Sequence, residues 1–384
     1  MILSKTIKIG GKIDSNNAKQ FEDTLLPQAE SDNICLDAAE LEYISSAGLR
    51  VLLKLKKAVG DEVSVINVSK DVYDIFEVTG FTSLLNVKKA LKTIDLKNAD
   101  IIGKGATGIV YRLDRETIVK VFNENVQPHI IENEGIKAKN ALIFGVPTAI
   151  SFDTVRVGEC YGVVYELLDA DDLLNIIRKD KAHLKEYVAN YARKMKEMHS
   201  IEVDDRFDDT KSGTLSFLNH LTGTVCTEEE TEKIKGVIKN IPDANTFIHG
   251  DAHIGNVMYK DGEYMFIDLS TAGKGHPIFD MVSMYSGFKM SLGMSEERRQ
   301  ARELTRGFTL EEIETIWNTY LSAYLDTEDE KLLNKAEEQI LAVTCSRTIL
   351  AAIAIPGLIP PETLAYFKNT AVSFFDKGLE PICF

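Results

Sequence analysis

The stretch that most constrains the fold of this chain is His-Gly-Asp-Ala-His-Ile-Gly-Asn at residues 249–256, which Phe-Ile-Asp follows at residues 266–268. Between them, two short apolar segments flank a Lys-Asp-Gly turn, and this order predicts a β-hairpin. Because the second strand of a hairpin returns to the end where the first one starts, we expect Asn256 and Asp268 to lie close together.

Three side chains of this stretch have the chemistry that phosphoryl transfer from a nucleotide needs. The carboxylate of Asp251 can orient an attacking hydroxyl group. The amide oxygen of Asn256 and the carboxylate of Asp268 can hold Mg2+ against the phosphates. These residues therefore predict a kinase-type site that uses ATP and Mg2+.

Length and composition limit the classes of protein to consider. A chain of 384 residues suggests two or three structural units. It contains no apolar run long enough to span a membrane, and residues 1–5 do not begin a secretory signal, so no membrane association is expected. The five cysteines are widely spaced, which favours a cytoplasmic location over disulfides or a metal site. The net charge of −15 argues against nucleic acid as a partner.

Strand-like and helix-like segments alternate through residues 1–95, which predicts a small α/β sandwich. This region resembles the STAS domain of bacterial anti-sigma-factor antagonists. The resemblance rests on Leu-Asp at 36–37, Tyr-Ile-Ser-Ser-Ala-Gly-Leu at 43–49, Asn-Val-Ser at 67–69 and Thr-Gly-Phe at 79–81. It implies that an anti-sigma-type protein is a partner of this region.

Ser46 matches the regulatory phosphorylation site of that family, at the start of a helix. A helix N-terminus stabilises a phosphate through its free N–H groups, so a switch at this position has a physical basis. The sequence differs from the best-known pattern of the family, which has Asp at the position of Ser45 and Ser at the position of Ala47. The alternative is that Ser45 or Ser46 serves only as the N-cap of the helix.

Gly103, Gly105 and Gly108 form a G-x-G-x-x-G pattern between β-branched residues, and such a loop lets the backbone approach phosphates closely. A dinucleotide-binding turn shares this pattern but needs a helix after the glycines. Here the residues that follow are typical of a β-hairpin whose second strand carries Lys120. That order is the kinase arrangement, in which the lysine contacts the α- and β-phosphates of ATP.

Two further parts of a nucleotide site are expected from the same order. A carboxylate on the next helix should position Lys120, and Glu132 and Glu134 are both candidates. An apolar strand that ends in Glu-Leu-Leu would form the hinge that binds adenine through main-chain groups, with Glu166 and Leu168 as candidates. The same strand can also be read simply as a buried strand of the core.

Residues 100 to about 290 resemble the aminoglycoside phosphotransferase and choline-kinase-like branch of the protein-kinase fold. The resemblance rests on the H-G-D-x-H-x-G-N form of residues 249–256 and on Gly-His-Pro-Ile-Phe-Asp at residues 275–280. The resemblance also implies that the helical region after residue 290 shapes the acceptor pocket.

The resemblance implies a role for each residue of the predicted site. Asp251 would be the catalytic base, and Asn256 and Asp268 would bind Mg2+. The glycine-rich loop and Lys120 would cradle ATP, and the match to related sequences favours Glu134 as the partner of the lysine.

Some polar residues near the motif are expected to be structural. The resemblance implies that Asp280 stabilises the catalytic loop, and that no protein-kinase flip follows Asp268, because Leu-Ser replaces Phe-Gly after it. His249 and His253 lie four residues apart on a loop, with no third ligand at a familiar spacing, so hydrogen bonding is favoured over a zinc site. His276 is likewise expected to be a local structural group.

These patterns together predict an α+β protein in which a small STAS-type α/β sandwich precedes a bilobal protein-kinase-like phosphotransferase fold with a helical C-terminal region. The expected domains are a STAS-like domain at residues 1–95, an N-lobe with the glycine-rich loop at residues 96–168, and a C-lobe with the catalytic loop and a helical acceptor region at residues 169–384.

The expected function is ATP-dependent transfer of the γ-phosphate to a hydroxyl acceptor, with a small molecule favoured and the STAS domain as a regulatory part. One alternative is a Ser/Thr protein kinase of an anti-sigma partner-switching pathway, with Ser46 or another STAS protein as the acceptor. Another is a scaffold that senses nucleotide without turnover. The intact set of Lys120, Asp251, Asn256 and Asp268 argues against the scaffold.

Overall fold

The computed structural model describes residues 5–28, 34–59, 63–105, 107–354 and 359–382. The chain divides into two units, Met1–Asp95 and Leu96–Phe384. None of the helices in these described ranges has both the length and the apolar character that crossing a bilayer requires.

Strands and helices alternate along the first unit. Its strands are β1 (Lys5–Ile13), β2 (Ile34–Ile44), β3 (Val63–Val68), β4 (Asn86–Lys89) and β5 (Lys92–Thr93). Its helices are α1 (Ala18–Leu25), α2 (Ser46–Val59) and α3 (Lys70–Val78). The first four strands form a parallel sheet in the order β1-β2-β3-β4. The predicted small α/β sandwich is thus confirmed.

Helix α2 shows how local sequence determines the structure of this unit. The Oγ atom of Ser45 accepts a hydrogen bond from the N–H of Ala47 at 3.2 Å and thereby caps the helix. Leu49, Leu52 and Leu55 recur every three residues and are buried in the core of the unit. The capping residue and the apolar face together determine where the helix begins and which side packs inward.

The first part of the second unit is an antiparallel sheet with one helix. Its strands are β6 (Ile101–Lys104), β7 (Gly108–Arg112), β8 (Thr117–Phe122), β9 (Ser151–Val157) and β10 (Cys160–Glu166), and its helix is α4 (Pro128–Ile143). These strands are ordered β9-β10-β8-β7-β6. Helix α4 packs against β9 and β10. A strand therefore follows the glycine-rich loop, where a dinucleotide-binding turn would need a helix.

The rest of the second unit is mainly helical. Its helices are α5 (Leu173–Lys179), α6 (Leu184–Met198), α7 (Thr210–Leu218), α8 (Glu228–Lys239), α9 (Ile278–Gly287), α10 (Glu296–Ala301), α11 (Leu310–Leu325), α12 (Glu330–Ala354) and α13 (Pro361–Asp376). Its short strands are β11 (Asp171–Asp172), β12 (Thr246–Ile248), β13 (Val257–Lys260), β14 (Glu263–Phe266) and β15 (Gly273–Gly275). They form one sheet in the order β11-β13-β14 and a pair of β12 with β15.

Large aromatic side chains fill the core of this helical part. Tyr191, Trp317 and Tyr320 are fully buried, and the rings of Tyr191 and Tyr320 stack with centroids 5.7 Å apart. A capping box of Thr309 and Glu312 fixes the start of α11. The predicted helical C-terminal region is confirmed. Ala252 and Ile254, in the loop between β12 and β13, belong to the same hydrophobic core.

Candidate active site

The predicted hairpin is formed by β13 and β14, in which Val257 pairs with Phe266. The N–H of Ile267 donates to the carbonyl oxygen of Asn256 at 3.0 Å, so Asn256 and Asp268 lie at the same end of the hairpin. Asn256 and Asp268 are therefore close to each other, as expected from the order of the sequence.

Asn256 is held in one orientation by the loop before it. Its Nδ2 atom donates to the carbonyl oxygen of Asp251 at 2.9 Å and to the Oδ2 atom of Asp251 at 3.2 Å. Because the amide nitrogen makes both bonds, its Oδ1 atom faces another direction and remains available as an acceptor or a metal ligand. The Asp251 side chain is about half exposed, at 51%.

Buried Asp280 accepts three hydrogen bonds, two of which hold the loop at residues 249–256. Its Oδ1 atom accepts from the N–H of Gly250 at 2.6 Å, and its Oδ2 atom accepts from the N–H of His249 at 2.8 Å and from Nε2 of His199 at 3.0 Å. Burial raises the pKa of the Asp280 carboxyl, but the hydrogen bond from His199 and the backbone bond outweigh this effect and keep the pKa below its usual range.

Gly250 can only be glycine in this loop. Its φ of 84° lies in the left-handed region, and an added Cβ would approach the carbonyl oxygen of Thr271 to 2.3 Å. The backbone of the loop at residues 249–256 thus packs directly on the turn that follows Asp268.

The histidines of the loop serve as hydrogen-bonding groups. The Nδ1 atom of His249 accepts from the N–H of Asp251 at 3.3 Å, and its Nε2 atom contacts the carbonyl oxygen of Ile267 at 3.0 Å. The Nδ1 atom of His253 accepts from the N–H of Gly255 at 3.1 Å. Within the described ranges, no three His, Cys, Asp or Glu side chains come together as a metal site.

Lys120 lies between two carboxylates from distant parts of the chain. Its Nζ atom is 2.9 Å from Oε1 of Glu134 and 2.9 Å from Oδ1 of Asp268. Burial lowers the pKa of Lys120, but the two carboxylates outweigh this effect and raise the pKa above its usual value. The lysine is therefore charged at neutral pH.

Glu134 rather than Glu132 contacts Lys120. Glu134 is 2% exposed and also accepts a hydrogen bond from the hydroxyl of Tyr165 at 3.0 Å. Burial raises the pKa of the Glu134 carboxyl, against the effect of Lys120. A sequence signal for this choice exists, because Glu134 shares helical spacing with the buried residues Ile131 and Ala138.

Asp268 occupies a strained backbone position with one oxygen left for a ligand. Its φ of 63° and ψ of 63° are left-handed, which is uncommon for a residue other than glycine. Its Oδ1 atom accepts from Lys120 and from the Ser270 hydroxyl, the latter at 3.2 Å, while Oδ2 is left for a further partner. Burial raises the pKa of Asp268, but Lys120 outweighs this effect and the pKa is lowered.

The oxygen atoms of Asn256 and Asp268 fit Mg2+. Both are hard donors, and Mg2+ commonly takes only one or two protein ligands beside phosphate oxygens and water. The described residues therefore offer the donor set that this metal prefers.

The three glycines of the glycine-rich loop differ in what surrounds them. A Cβ on Gly108 would lie 2.2 Å from the carbonyl oxygen of Val121, so the fold itself requires glycine there. A Cβ on Gly103 or Gly105 would meet nothing closer than 3.6 Å and 3.9 Å, respectively. Ala106, which follows Gly105, lies outside the described residues. The fold itself therefore requires glycine at Gly108 but has room for a Cβ at Gly103 and Gly105.

The expected hinge lies at the end of β10. The N–H of Glu166 donates to the carbonyl oxygen of Ile150 at 2.9 Å and is already used. An adenine ring at this hinge would therefore have to donate a hydrogen bond to the carbonyl oxygen of Glu166 instead. Leu168 follows two residues after the strand ends.

His276 accepts a hydrogen bond from the N–H of Ile278 at 3.2 Å within its own turn.

In the first unit, Ser46 is exposed at the first position of α2, whereas Ser45 provides the capping oxygen. The two serines thus have different environments.

Sequence reasoning missed three groups that contact these residues: Tyr165 on Glu134, His199 on Asp280, and Lys137 on Ser270. Lys137 could have been found from its position three residues after Glu134, on the same helical face. His199 is 81 residues from Asp280, and no local pattern joins them.

Two family profiles match different parts of the chain. The profile described as "Phosphotransferase enzyme family" matches residues 110–316, and the one described as "Mlab, STAS domain" matches residues 4–86. The chain is also 38% identical over 82 residues to "Putative anti-sigma factor antagonist BtrV" of Bordetella bronchiseptica, a match that covers 20% of this chain and 71% of the relative.

Among solved structures, the ADP-bound aminoglycoside phosphotransferase APH(2'')-Ib is similar with a TM-score of 0.47 and 13% identity, over 73% of this chain and 94% of that one. A choline/ethanolamine kinase family protein from Mesorhizobium loti has a TM-score of 0.45 and 13% identity, over 73% of this chain and 87% of that one.

Residues 4–86 therefore form a STAS domain. Because the phosphotransferase profile spans more than half of the residues, the chain belongs to the phosphotransferase enzyme family.

Proposed function

We propose that this protein is an ATP-dependent phosphotransferase that moves the γ-phosphate of ATP to a hydroxyl group of a small molecule, with its STAS domain as a regulatory part. The observation that carries the proposal is the cluster of Lys120, Glu134 and Asp268, which two ion pairs of 2.9 Å bring together from a strand, a helix and a turn. A charged lysine held in this way suits the phosphates of a nucleotide. The adjacent loop supplies Asp251 and Asn256, so groups for donor and acceptor lie in one site.

Each residue of the cluster has a proposed role. Asp251 would aim the acceptor hydroxyl at the γ-phosphorus and take its proton late, as the new O–P bond forms and the bond from the γ-phosphorus to the leaving ADP oxygen breaks. Oδ1 of Asn256 and Oδ2 of Asp268 would hold Mg2+, whose charge offsets that of the phosphate oxygens. Lys120 would bind the α- and β-phosphates, with Glu134 fixing its orientation.

The remaining nucleotide contacts would come from main-chain groups. Gly103, Gly105 and Gly108 would bring the loop backbone over the phosphates. The fold itself has room for a Cβ at the first two positions, so a need for glycine there would come from the nucleotide, which supports this placement. Glu166 through its carbonyl oxygen and Leu168 through its N–H would meet the adenine.

The small-molecule acceptor is favoured by the H-G-D-x-H-x-G-N form of the catalytic loop. For the STAS domain, the likeness to a protein named as an anti-sigma factor antagonist supports an anti-sigma-type protein as its partner. Ser46 gives a second candidate acceptor, because its hydroxyl is exposed while Ser45 caps the helix. In that case the protein would be a Ser/Thr kinase that modifies its own or another STAS domain.

A turnover assay with γ-labelled ATP and Mg2+ tests the proposal on the full chain. Asp251→Asn should lower turnover by about 100- to 10,000-fold, the usual contribution of a positioned acid–base group, and should keep ADP binding. Asp261→Asn makes the same chemical change in the exposed hairpin turn and should leave turnover unchanged.

Equal turnover in wild type and Asp251→Asn would contradict the proposal. Label on the protein that disappears in Ser46→Ala would favour the second candidate, whereas label on added hydroxyl compounds alone would favour the first.

A further inference from the structure

Lys137 is a buried lysine to which the proposed function gives no role. It lies on α4, three residues after Glu134, so both side chains project from one face of the helix. Lys137 is only 9% exposed, and its Nζ atom donates to the carbonyl oxygen of Ser270 at 3.1 Å. Burying an ammonium group is costly unless its partners hold it, so this contact calls for a physical reason.

The contact acts on the turn that carries Asp268. Ser270 lies two residues after Asp268, and its hydroxyl donates to Oδ1 of Asp268 at 3.2 Å. The left-handed backbone of Asp268 is a conformation that persists only when neighbouring groups hold it. Lys137 holds the backbone of this turn from the side of α4.

Side chains of helix α4 therefore hold the turn after Asp268 in two ways. Glu134 acts on the carboxylate of Asp268 through Lys120, and Lys137 acts directly on the backbone of Ser270. The contact through Lys120 would be shared with the phosphates of a bound nucleotide. The hydrogen bond from Lys137 to Ser270 involves no group that the nucleotide needs, so it can persist when the site is filled.

We propose that Lys137 is a positioning residue that fixes the Asp268 turn, so that Asp268 presents its second carboxylate oxygen to Mg2+. This inference rests on the proposed function, in which Asp268 binds the metal. It links Lys137 to the affinity for Mg2+ rather than to the affinity for the nucleotide itself.

The test is the melting temperature of the full chain with saturating ADP across a series of Mg2+ concentrations. Lys137→Met keeps the long apolar stem and removes the donor. We expect the Mg2+ concentration for half-maximal extra stabilisation to rise by about 10-fold or more, the usual effect of losing a partner of a metal ligand. Stabilisation by ADP alone should stay at the wild-type value.

Lys139→Met is the matched control, because Lys139 lies on the same helix and is exposed. It should behave as wild type. Lys137→Arg, which keeps an N–H donor on a long side chain, should recover most of the Mg2+ affinity. If Lys137→Met does not fold, Lys137→Gln is too short to reach the Ser270 carbonyl and carries the same expectation.

An unchanged Mg2+ dependence in Lys137→Met would overturn the inference, and so would an equal loss of stabilisation by ADP alone. If ADP stabilises the wild type but Mg2+ adds nothing, the inference fails while the nucleotide site stands. If ADP has no effect on the wild type, the proposed function fails and the inference fails with it.

Discussion

Replacing Asp280 by asparagine should remove one of the hydrogen bonds that hold the loop at residues 249–256. The two carboxylate oxygens accept three hydrogen bonds, and the Gly250 N–H is the single donor to Oδ1. In Asp280→Asn one oxygen becomes an NH2 group, which faces at least one N–H donor in either orientation. The better orientation gives up the bond from Gly250 and keeps those from His249 and His199.

The expected cost follows from those bonds. Losing one hydrogen bond to a charged group costs about 1.5–3 kcal/mol, and leaving a buried N–H unsatisfied costs about 1–3 kcal/mol more. The sum of about 2.5–6 kcal/mol corresponds to a fall in melting temperature on the order of 10 °C for a unit of this size. Turnover of ATP should fall as well, because the backbone of His249 and Gly250 positions Asp251.

The assay is thermal unfolding of wild type and Asp280→Asn, with Asp326→Asn as the control. Asp326 has a left-handed backbone at the end of α11, a position where asparagine is well tolerated. The pKa of Asp280 is lowered in the folded state, so its contribution is present above the unfolded value of about 3.9 and is lost as the pH falls through the lower folded value. The gap between wild type and Asp280→Asn should therefore stay constant near neutral pH and shrink as the pH falls below about 4. A melting temperature within about 1 °C of wild type at pH 7 would refute the anchoring role.

Four further substitutions test the glycine-rich loop, the Lys120 ion pair and the core. Gly108→Ala should lower the melting temperature, since its Cβ would meet a carbonyl oxygen at 2.2 Å, whereas Gly105→Ala should melt normally but bind ADP more weakly by calorimetry. Glu134→Gln should leave Lys120 with one carboxylate partner and reduce kcat/KM for ATP. An unchanged kcat/KM would show that activity does not need the ion pair of Lys120 with Glu134. Trp317→Ala should cost about 3–5 kcal/mol in denaturant unfolding, because Trp317 is fully buried; a loss below 1 kcal/mol would contradict its place in the core.

The hairpin of β13 and β14 could be predicted from sequence because its signals are local. Two apolar segments and a Lys-Asp-Gly turn are enough to bring Asn256 and Asp268 to one end. The order of the glycine-rich loop and Lys120 likewise indicated a hairpin, because no helix pattern follows the glycines. Each of these inferences uses fewer than twenty consecutive residues.

The anchoring groups could not be predicted in the same way. His199 and Asp280 meet because α6 and α9 pack in one core, and no pattern near either residue selects the other. Helical spacing favours Glu134 over Glu132, but its contact with Lys120 also depends on how α4 packs on the sheet, where a Cβ on Gly135 would lie 3.4 Å from Val163. Tertiary packing determines such contacts, and the secondary-structure propensities of the residues do not predict them.

The most direct test of the central claim is calorimetric binding of a non-hydrolysable ATP analogue with and without Mg2+. We expect binding in the range of about 1 μM to 1 mM that strengthens with Mg2+, is lost in Lys120→Met and is kept in Asp251→Asn. Binding that ignores both Mg2+ and Lys120, or no binding by the wild type, would contradict a phosphotransferase site built on Lys120, Asn256 and Asp268.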